Sequence, residues 1–175
     1  MENKSQLKEF SRYCTLNVLG MIGLSCYILA DTFFVSKGLG RNGLTALNLA
    51  IPVYSFIHGS GLMLGIGGAT KYSIFKSNKE RKNANTIFTN TFYLATVISI
   101  VFVLVGIFLS KSLTTVLGSD SDVFKMTNIY LKCILIFTPA FIINDVLICF
   151  MRNDNNPNLS MYAMLGGSLS NIILD

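Results

Sequence analysis

The stretch NTFYLATVISIVFVLVGIFL, residues 90–109, contains no acidic or basic side chain. At a helical rise of about 1.5 Å per residue it is about 30 Å long, which matches the hydrocarbon core of a bilayer. The composition extends this pattern: 51% of the residues are hydrophobic, 13% are charged and the mean hydropathy is +0.55. Soluble domains carry about 25% charged residues. The sequence therefore predicts an all-α integral membrane protein.

Apolar blocks and turn signals divide the chain into five predicted transmembrane helices. The links between them include SKGLGRNG (36–43), SDSD (119–122) and NDNNPN (153–158), whose residue types favour turns and helix caps. Proline lies inside the second and fourth predicted helices, at Pro52 and Pro139, and is expected to kink both. The predicted helices cover about residues 12–35, 44–74, 90–109, 123–151 and 157–175.

Lys and Arg are distributed unequally between the links. The N-terminal segment and the second and fourth links together carry nine of these residues, whereas the first and third links carry four. Cytoplasmic loops of membrane proteins carry the excess of Lys and Arg, so the N-terminus is predicted to be cytoplasmic. The sequence predicts a multi-pass protein of the plasma (inner) membrane, with the lipid bilayer as its surroundings. The net charge of +5 follows from this loop pattern and does not indicate a nucleic-acid partner.

The sequence contains no pattern typical of an enzyme. It has one histidine and lacks HExxH, P-loop and CxxC patterns. GLGRNG (38–43) matches the GxGxxG pattern of dinucleotide sites, but it follows a predicted membrane helix where such a site requires a strand. The prediction is a protein that is not an enzyme, with no catalytic residues and no resident cofactor.

Acidic side chains lie in three of the apolar blocks, and two of them, Asp31 and Asp175, belong to the first and fifth predicted helices. A carboxylate at the middle of a membrane helix costs about 3 kcal/mol on insertion scales, so each one is expected to have a role. Along the helix axis, Asp31 lies about 28 Å beyond Arg12, and Asp175 lies about 27 Å beyond Pro157. The two carboxylates therefore reach a similar depth if both helices start on the cytoplasmic side. Asn171 shares a helix face with Asp175, so neighbouring first and fifth helices would form a polar cluster suited to a proton or a sodium ion.

Three further ionisable residues lie inside the apolar blocks. Lys132 is expected to extend its stem along the fourth predicted helix to the outer surface. Asp145 is expected to pair with a cation of the following link, where Arg152 lies two turns later. His58 can titrate near neutrality, but the favoured interpretation is a hydrogen-bonded packing residue.

Three segments resemble the multidrug and toxic compound extrusion (MATE) family of efflux transporters. They are ADTFFVSKGLGRNGLTALNLAIPVYSFIHGSGLMLGIGGATKYS (30–73), NKERKNANTIFTNT (78–91) and FMRNDNNPNLSMYAMLGGSLSNIILD (150–175). The resemblance runs over almost the whole chain and is strongest to the bacterial branch. It departs at Asn155, where the family's loop usually has glycine.

The resemblance implies that residues 1–175 form part of the N-terminal lobe of a twelve-helix transporter with two related six-helix lobes. The second lobe of the same polypeptide is then expected to be missing from this sequence. The implied function is export of small organic cations in exchange for protons or sodium ions. Asp31 stands where the family carries its first-helix aspartate, and Asn171 and Asp175 stand where it carries a fifth-helix Asn-x-x-x-Asp pair. The resemblance thus makes these three residues the candidate cation site, and Na⁺ at Asp31 and Asp175 is the only metal it implies.

Two other functions are compatible with the sequence. A related lipid or oligosaccharide flippase is expected to carry more cationic side chains for anionic headgroups, whereas the predicted membrane segments here contain mainly carboxylates, plus Lys132. A five-helix membrane scaffold without transport activity is the other alternative, and it would have to be stable without a second lobe.

Overall fold

The computed structural model describes residues 2–154 and 157–174, except for the side chains of residues 2–6, 8, 9, 157, 171, 172 and 174. Almost all of the described residues lie in six α-helices, and no strand occurs among them. The helices are α1 (Glu2–Ser77), α2 (Arg81–Phe108), α3 (Ser110–Val116), α4 (Ser121–Ile136), α5 (Thr138–Asn153) and α6 (Pro157–Leu174).

The all-α class is confirmed, whereas the predicted count of five helices is not. The first two predicted helices are joined in α1, and the fourth is divided into α4 and α5. The short helix α3 was not predicted, because its seven residues lie at the end of an apolar block. The third and fifth predicted helices correspond to α2 and α6, and α2 begins earlier than predicted, at Arg81.

The long helix α1 breaks at Gly40. Its φ of 62° and ψ of −153° lie in a region that is essentially open to glycine alone. No other residue inside α1 has non-helical dihedrals. Of the predicted link at 36–43, only one residue is therefore non-helical. A Cβ added at Gly40 would meet no atom within 4 Å. The backbone conformation, and not a lack of space, therefore requires glycine here.

Two described helical stretches are long and apolar enough to cross a membrane, Phe10–Ser77 of α1 and Arg81–Phe108. The stretch in α1 has 68 residues, and a single crossing needs about 20. The break at Gly40 leaves a helical segment of sufficient length on each side. α4 and α5 reach the required length only as a pair, which is bent by 49°.

The bend between α4 and α5 lies at Phe137, two residues before Pro139. Proline lacks a backbone N–H and clashes with the preceding turn inside a continuous helix, but it fits in the first turn of a new one. The predicted kink at Pro139 is therefore confirmed, as a break. At Pro52 the backbone keeps helical dihedrals, so the helix is not broken there, and the expected kink stays a prediction.

The chain divides into two compact units, one made of Met1–Phe34 with Met151–Asp175 and one of Val35–Phe150. In the second unit, Phe56 stacks edge-on against Phe102, and Gly68 lies against Thr91. Residue numbers rise along α1 as they fall along α2, so these segments are antiparallel. The apolar core of this unit consists of Ile57, Leu64, Ala69, Ala95, Leu135, Ile142, Val146, Cys149 and Phe150.

Replacing Gly68 with alanine is expected to destabilise the second unit. The new Cβ would lie 2.3 Å from Oγ1 and 2.6 Å from Cγ2 of Thr91, whose buried hydroxyl donates a hydrogen bond to the Ile87 carbonyl at 2.8 Å. Overpacking costs about 1–3 kcal/mol, and the helical preference of alanine over glycine offsets about 0.5–1 kcal/mol. We expect a net loss of about 1 kcal/mol in the free energy of unfolding.

The matched control for this prediction is Gly67→Ala, one residue earlier, where an added Cβ would meet no atom within 4 Å. Denaturant titration of both variants in detergent micelles, followed by circular dichroism, would measure the difference. Equal stabilities of the two variants would contradict the close approach of α1 and α2.

Candidate functional site

In the first unit, α1 packs against α6. A Cβ added at Gly20 would lie 3.1 Å from Sδ of Met164, and one added at Gly23 would lie 2.5 Å from Cδ2 of Leu165. From the first contact to the second, the residue number increases on both helices. This is the order expected for helices that run in the same direction. The first and fifth predicted helices are therefore neighbours, which is the condition that the predicted cation cluster requires.

Two of the three residues of the predicted cation cluster, Asp31 and Asn171, lie beyond this contact along their helices. Asp31 is half-buried on α1, about 12 Å beyond Gly23 along the helix axis. Asn171 belongs to the helical backbone of α6, about 9 Å beyond Leu165; its side chain is not among those described. Asp175 lies outside the described residues. The grouping of the three side chains stays a prediction.

A different pair of ionisable residues meets in the second unit. Nδ1 of His58, on α1, lies 2.8 Å from Oδ2 of Asp145, on α5. The Asp145 side chain is 7% exposed and the His58 side chain is 40% exposed. The carboxylate is thus inside the unit and the imidazole is at its surface. This distance is that of an ordinary hydrogen bond, in which a protonated Nδ1 donates to the carboxylate oxygen.

An aromatic contact between the same two helices lies one helical turn before the His58–Asp145 pair. The ring of Tyr54 is parallel to that of His58, with centroids 6.2 Å apart, and it contacts Phe141 edge-on at 5.7 Å. Tyr54 and His58 are four residues apart on α1, and Phe141 and Asp145 are four residues apart on α5. The two helices therefore run parallel here, and an aromatic contact lies beside an ionic one.

Gly61 makes room for the carboxylate. A Cβ added at this glycine would lie 2.7 Å from Oδ2 of Asp145 and 3.0 Å from its Cβ. Gly61 is buried on α1, three residues after His58. The absence of a side chain therefore lets Asp145 lie directly against the backbone of α1, within reach of the imidazole.

The structure corrects one prediction and confirms another. Asp145 pairs with His58 and not with a cation of the following link, so that prediction is wrong. His58 is hydrogen-bonded, as expected. A signal for the pair was present in the sequence, because a histidine and an aspartate in two different apolar blocks both need polar partners.

Lys132 is exposed on α4, and its extension to the outer surface stays a prediction.

The chain is similar in sequence to known transport proteins. A model of the MatE family matches residues 18–175. The multidrug export protein MepA of Staphylococcus saprophyticus is 25% identical over 174 residues, which are 99% of this chain and 39% of that protein. The chain thus spans about two fifths of the length of the curated relatives it matches.

Solved transporter structures share the fold. A MOP-superfamily transporter from Pyrococcus furiosus matches with a TM-score of 0.88 and 24% identity, over 95% of this chain and 37% of that one. The MATE multidrug transporter DinF-BH, solved in complex with a ligand, matches with a TM-score of 0.83 and 25% identity, over 93% of this chain and 37% of that one.

Proposed function

Since the chain belongs to the MatE family of membrane transporters, we propose that it forms part of a multidrug efflux transporter that exports small organic cations in exchange for protons or sodium ions. The packing of α1 against α6 supports this proposal most directly. Asp31 lies on the first of these helices and Asn171 on the second, so neighbouring helices carry the residues that a coupling-ion site would need.

Two of the comparisons support the substrate class. The MepA relative is a multidrug export protein, and DinF-BH is a multidrug transporter that was solved with a ligand bound. By analogy, the substrate of this chain is a small organic molecule. A positive charge on that molecule fits the carboxylates that interrupt the apolar segments, because a carboxylate in the membrane favours a cationic partner.

Asp31, Asn171 and Asp175 are the proposed site for the coupling ion. Two carboxylates and one carboxamide offer only oxygen atoms to a metal cation, and hard cations prefer oxygen ligands. Either carboxylate also accepts a proton. The site thus suits Na⁺ or H⁺, and no other metal or cofactor is required.

The proposed mechanism is alternating access. The chain forms part of the N-terminal lobe, with its N-terminus in the cytoplasm of a cell whose plasma membrane it crosses. Binding of the ion reduces the negative charge of the two carboxylates by one and weakens the affinity for the organic cation. The organic cation in turn weakens ion binding, since such coupling is reciprocal. The two states alternate by movement of one structural repeat against the other.

A transport assay on the natural gene product that contains this chain tests the proposal. Membrane vesicles would be loaded with ethidium, a cationic dye, and a proton or sodium gradient would be imposed from outside. We expect dye release that depends on one of the two gradients, whereas an anionic dye in a parallel sample stays inside. Movement of a lipid-linked sugar without ethidium release would identify a flippase, and no movement of either would favour a scaffold.

A further inference from the structure

The His58–Asp145 pair lies deep in an apolar helical segment. This segment is the part of α1 that follows the Gly40 break, from Arg41 to Ser77. Along the helix axis, His58 is about 26 Å from Arg41 and about 28 Å from Ser77, so it lies near the middle of the segment. Ionisable residues at such depth face the interior of a helix bundle or a water-filled cavity, because exposure to hydrocarbon is costly.

The two nitrogens of the imidazole have different surroundings. Nδ1 is held by Asp145 at 2.8 Å. No described residue forms a hydrogen bond with Nε2, and 40% of the side chain is exposed at the surface of the second unit. A nitrogen in this position can exchange a proton with water while the other stays fixed. An orienting carboxylate of this kind sets the tautomer of the ring.

The surroundings hold the ring in place without adding charge. Tyr54 stacks on the ring at a centroid distance of 6.2 Å, and it is the nearest titratable group on α1. On α5, Cys149 follows Asp145 by one turn. Residues 83–108 of α2 contain no acidic or basic side chain. The charged residues of α3 and α4 are exposed, away from the buried faces of those helices: Lys111, Asp122, Lys125 and Lys132.

We propose that His58 and Asp145 form a proton-binding site within the membrane, made of other residues than the site proposed at Asp31. A proton from water binds Nε2 of the neutral imidazole, and the resulting imidazolium is held by the Asp145 carboxylate through Nδ1–H. Release of the same proton to water restores the neutral ring. The occupied pair is neutral overall, whereas the empty pair carries one negative charge.

The role of this site in transport rests on the proposed function, but proton binding itself does not. In a working transporter, the pair would make the proton the coupling ion, or one of two. The alternative is a hydrogen bond that only holds α1 against α5. In that case the ring would be closed to proton exchange and would keep one protonation state between pH 5 and pH 9.

The chain offers a direct measurement because it contains a single histidine. The chain would be labelled with ¹⁵N at the imidazole, purified without a histidine tag and placed in lipid nanodiscs. The two ring-nitrogen shifts would then be followed by NMR between pH 5 and pH 9. We expect both signals to titrate together, with Nδ1 protonated throughout and Nε2 gaining its proton as the pH falls.

One variant and its control identify the partner. In Asp145→Asn the midpoint of the titration should move, because the charge that holds the imidazolium is gone. In Asp122→Asn, which neutralises an exposed carboxylate at the start of α4, the midpoint should stay. A ring that keeps one protonation state from pH 5 to pH 9 in the unmodified chain would overturn the proposal, and so would an unchanged midpoint in folded Asp145→Asn.

The two proposals can fail separately. If ethidium efflux occurs but His58 does not titrate, the transport function stands and this proton site is wrong. If His58 titrates as expected but no gradient drives efflux, the proton site stands and the transport function is wrong.

Discussion

Replacing Asp31 with asparagine is expected to lower gradient-driven efflux about tenfold, because it removes a coupling between ion and substrate that is typically worth roughly 5- to 150-fold in affinity. The substitution keeps the size and the hydrogen-bonding oxygen of the side chain but removes its charge. An amide neither takes up a proton at physiological pH nor attracts a sodium ion as a carboxylate does. The ion would then no longer change the affinity for the organic cation.

The measurement is ethidium efflux from vesicles that contain the natural gene product, with the proton and sodium gradients imposed separately. In Asp31→Asn only the gradient-dependent part of ethidium efflux should fall, and the amount of protein in the membrane should not change. Asp122→Asn serves as the matched control, since Asp122 is an exposed aspartate at the start of α4. The control should retain full activity.

Full gradient-dependent efflux in Asp31→Asn would remove this residue from the coupling site. The coupling would then have to depend on other ionisable groups. The His58–Asp145 pair is the first candidate, because the structure already brings its two members together at 2.8 Å.

Replacing Gly40 with alanine is expected to reduce the free energy of unfolding by about 2 kcal/mol, in the middle of the ~1–3 kcal/mol range for a residue held in a strained backbone region. The dihedrals of Gly40, 62° and −153°, are costly for any residue with a Cβ. The added methyl group itself meets no atom within 4 Å. The loss therefore arises from backbone strain, and no change in a neighbouring side chain can relieve it.

Gly38→Ala is the control for this prediction. Gly38 lies two residues earlier, has helical dihedrals and likewise has no atom within 4 Å of an added Cβ. Alanine at a helical position should be neutral or stabilise by about 0.5–1 kcal/mol. Both variants would be unfolded by heat in detergent micelles and followed by circular dichroism. Equal losses in the two variants would mean that the break does not depend on the conformation of Gly40.

The sequence predicted membrane helices because hydropathy is a local property. The apolar composition of a run such as residues 90–109 does not depend on the rest of the fold, so composition and length are enough to identify a membrane helix. Hydropathy does not determine where the helices are interrupted. The link at 36–43 contains three glycines, Gly38, Gly40 and Gly43, and any of them permits a turn. The structure breaks at Gly40 and leaves the other two helical.

The sequence by itself determined that the chain is built of membrane helices, that it resembles one transporter family, and which carboxylates lie deep in the apolar segments. Only the tertiary structure decided which ionisable residues meet. His58 and Asp145 are 87 residues apart, and their contact depends on how α1 and α5 are rotated and how closely they approach at Gly61. Rotation and approach result from many packing contacts between distant segments, and no short stretch of sequence encodes them.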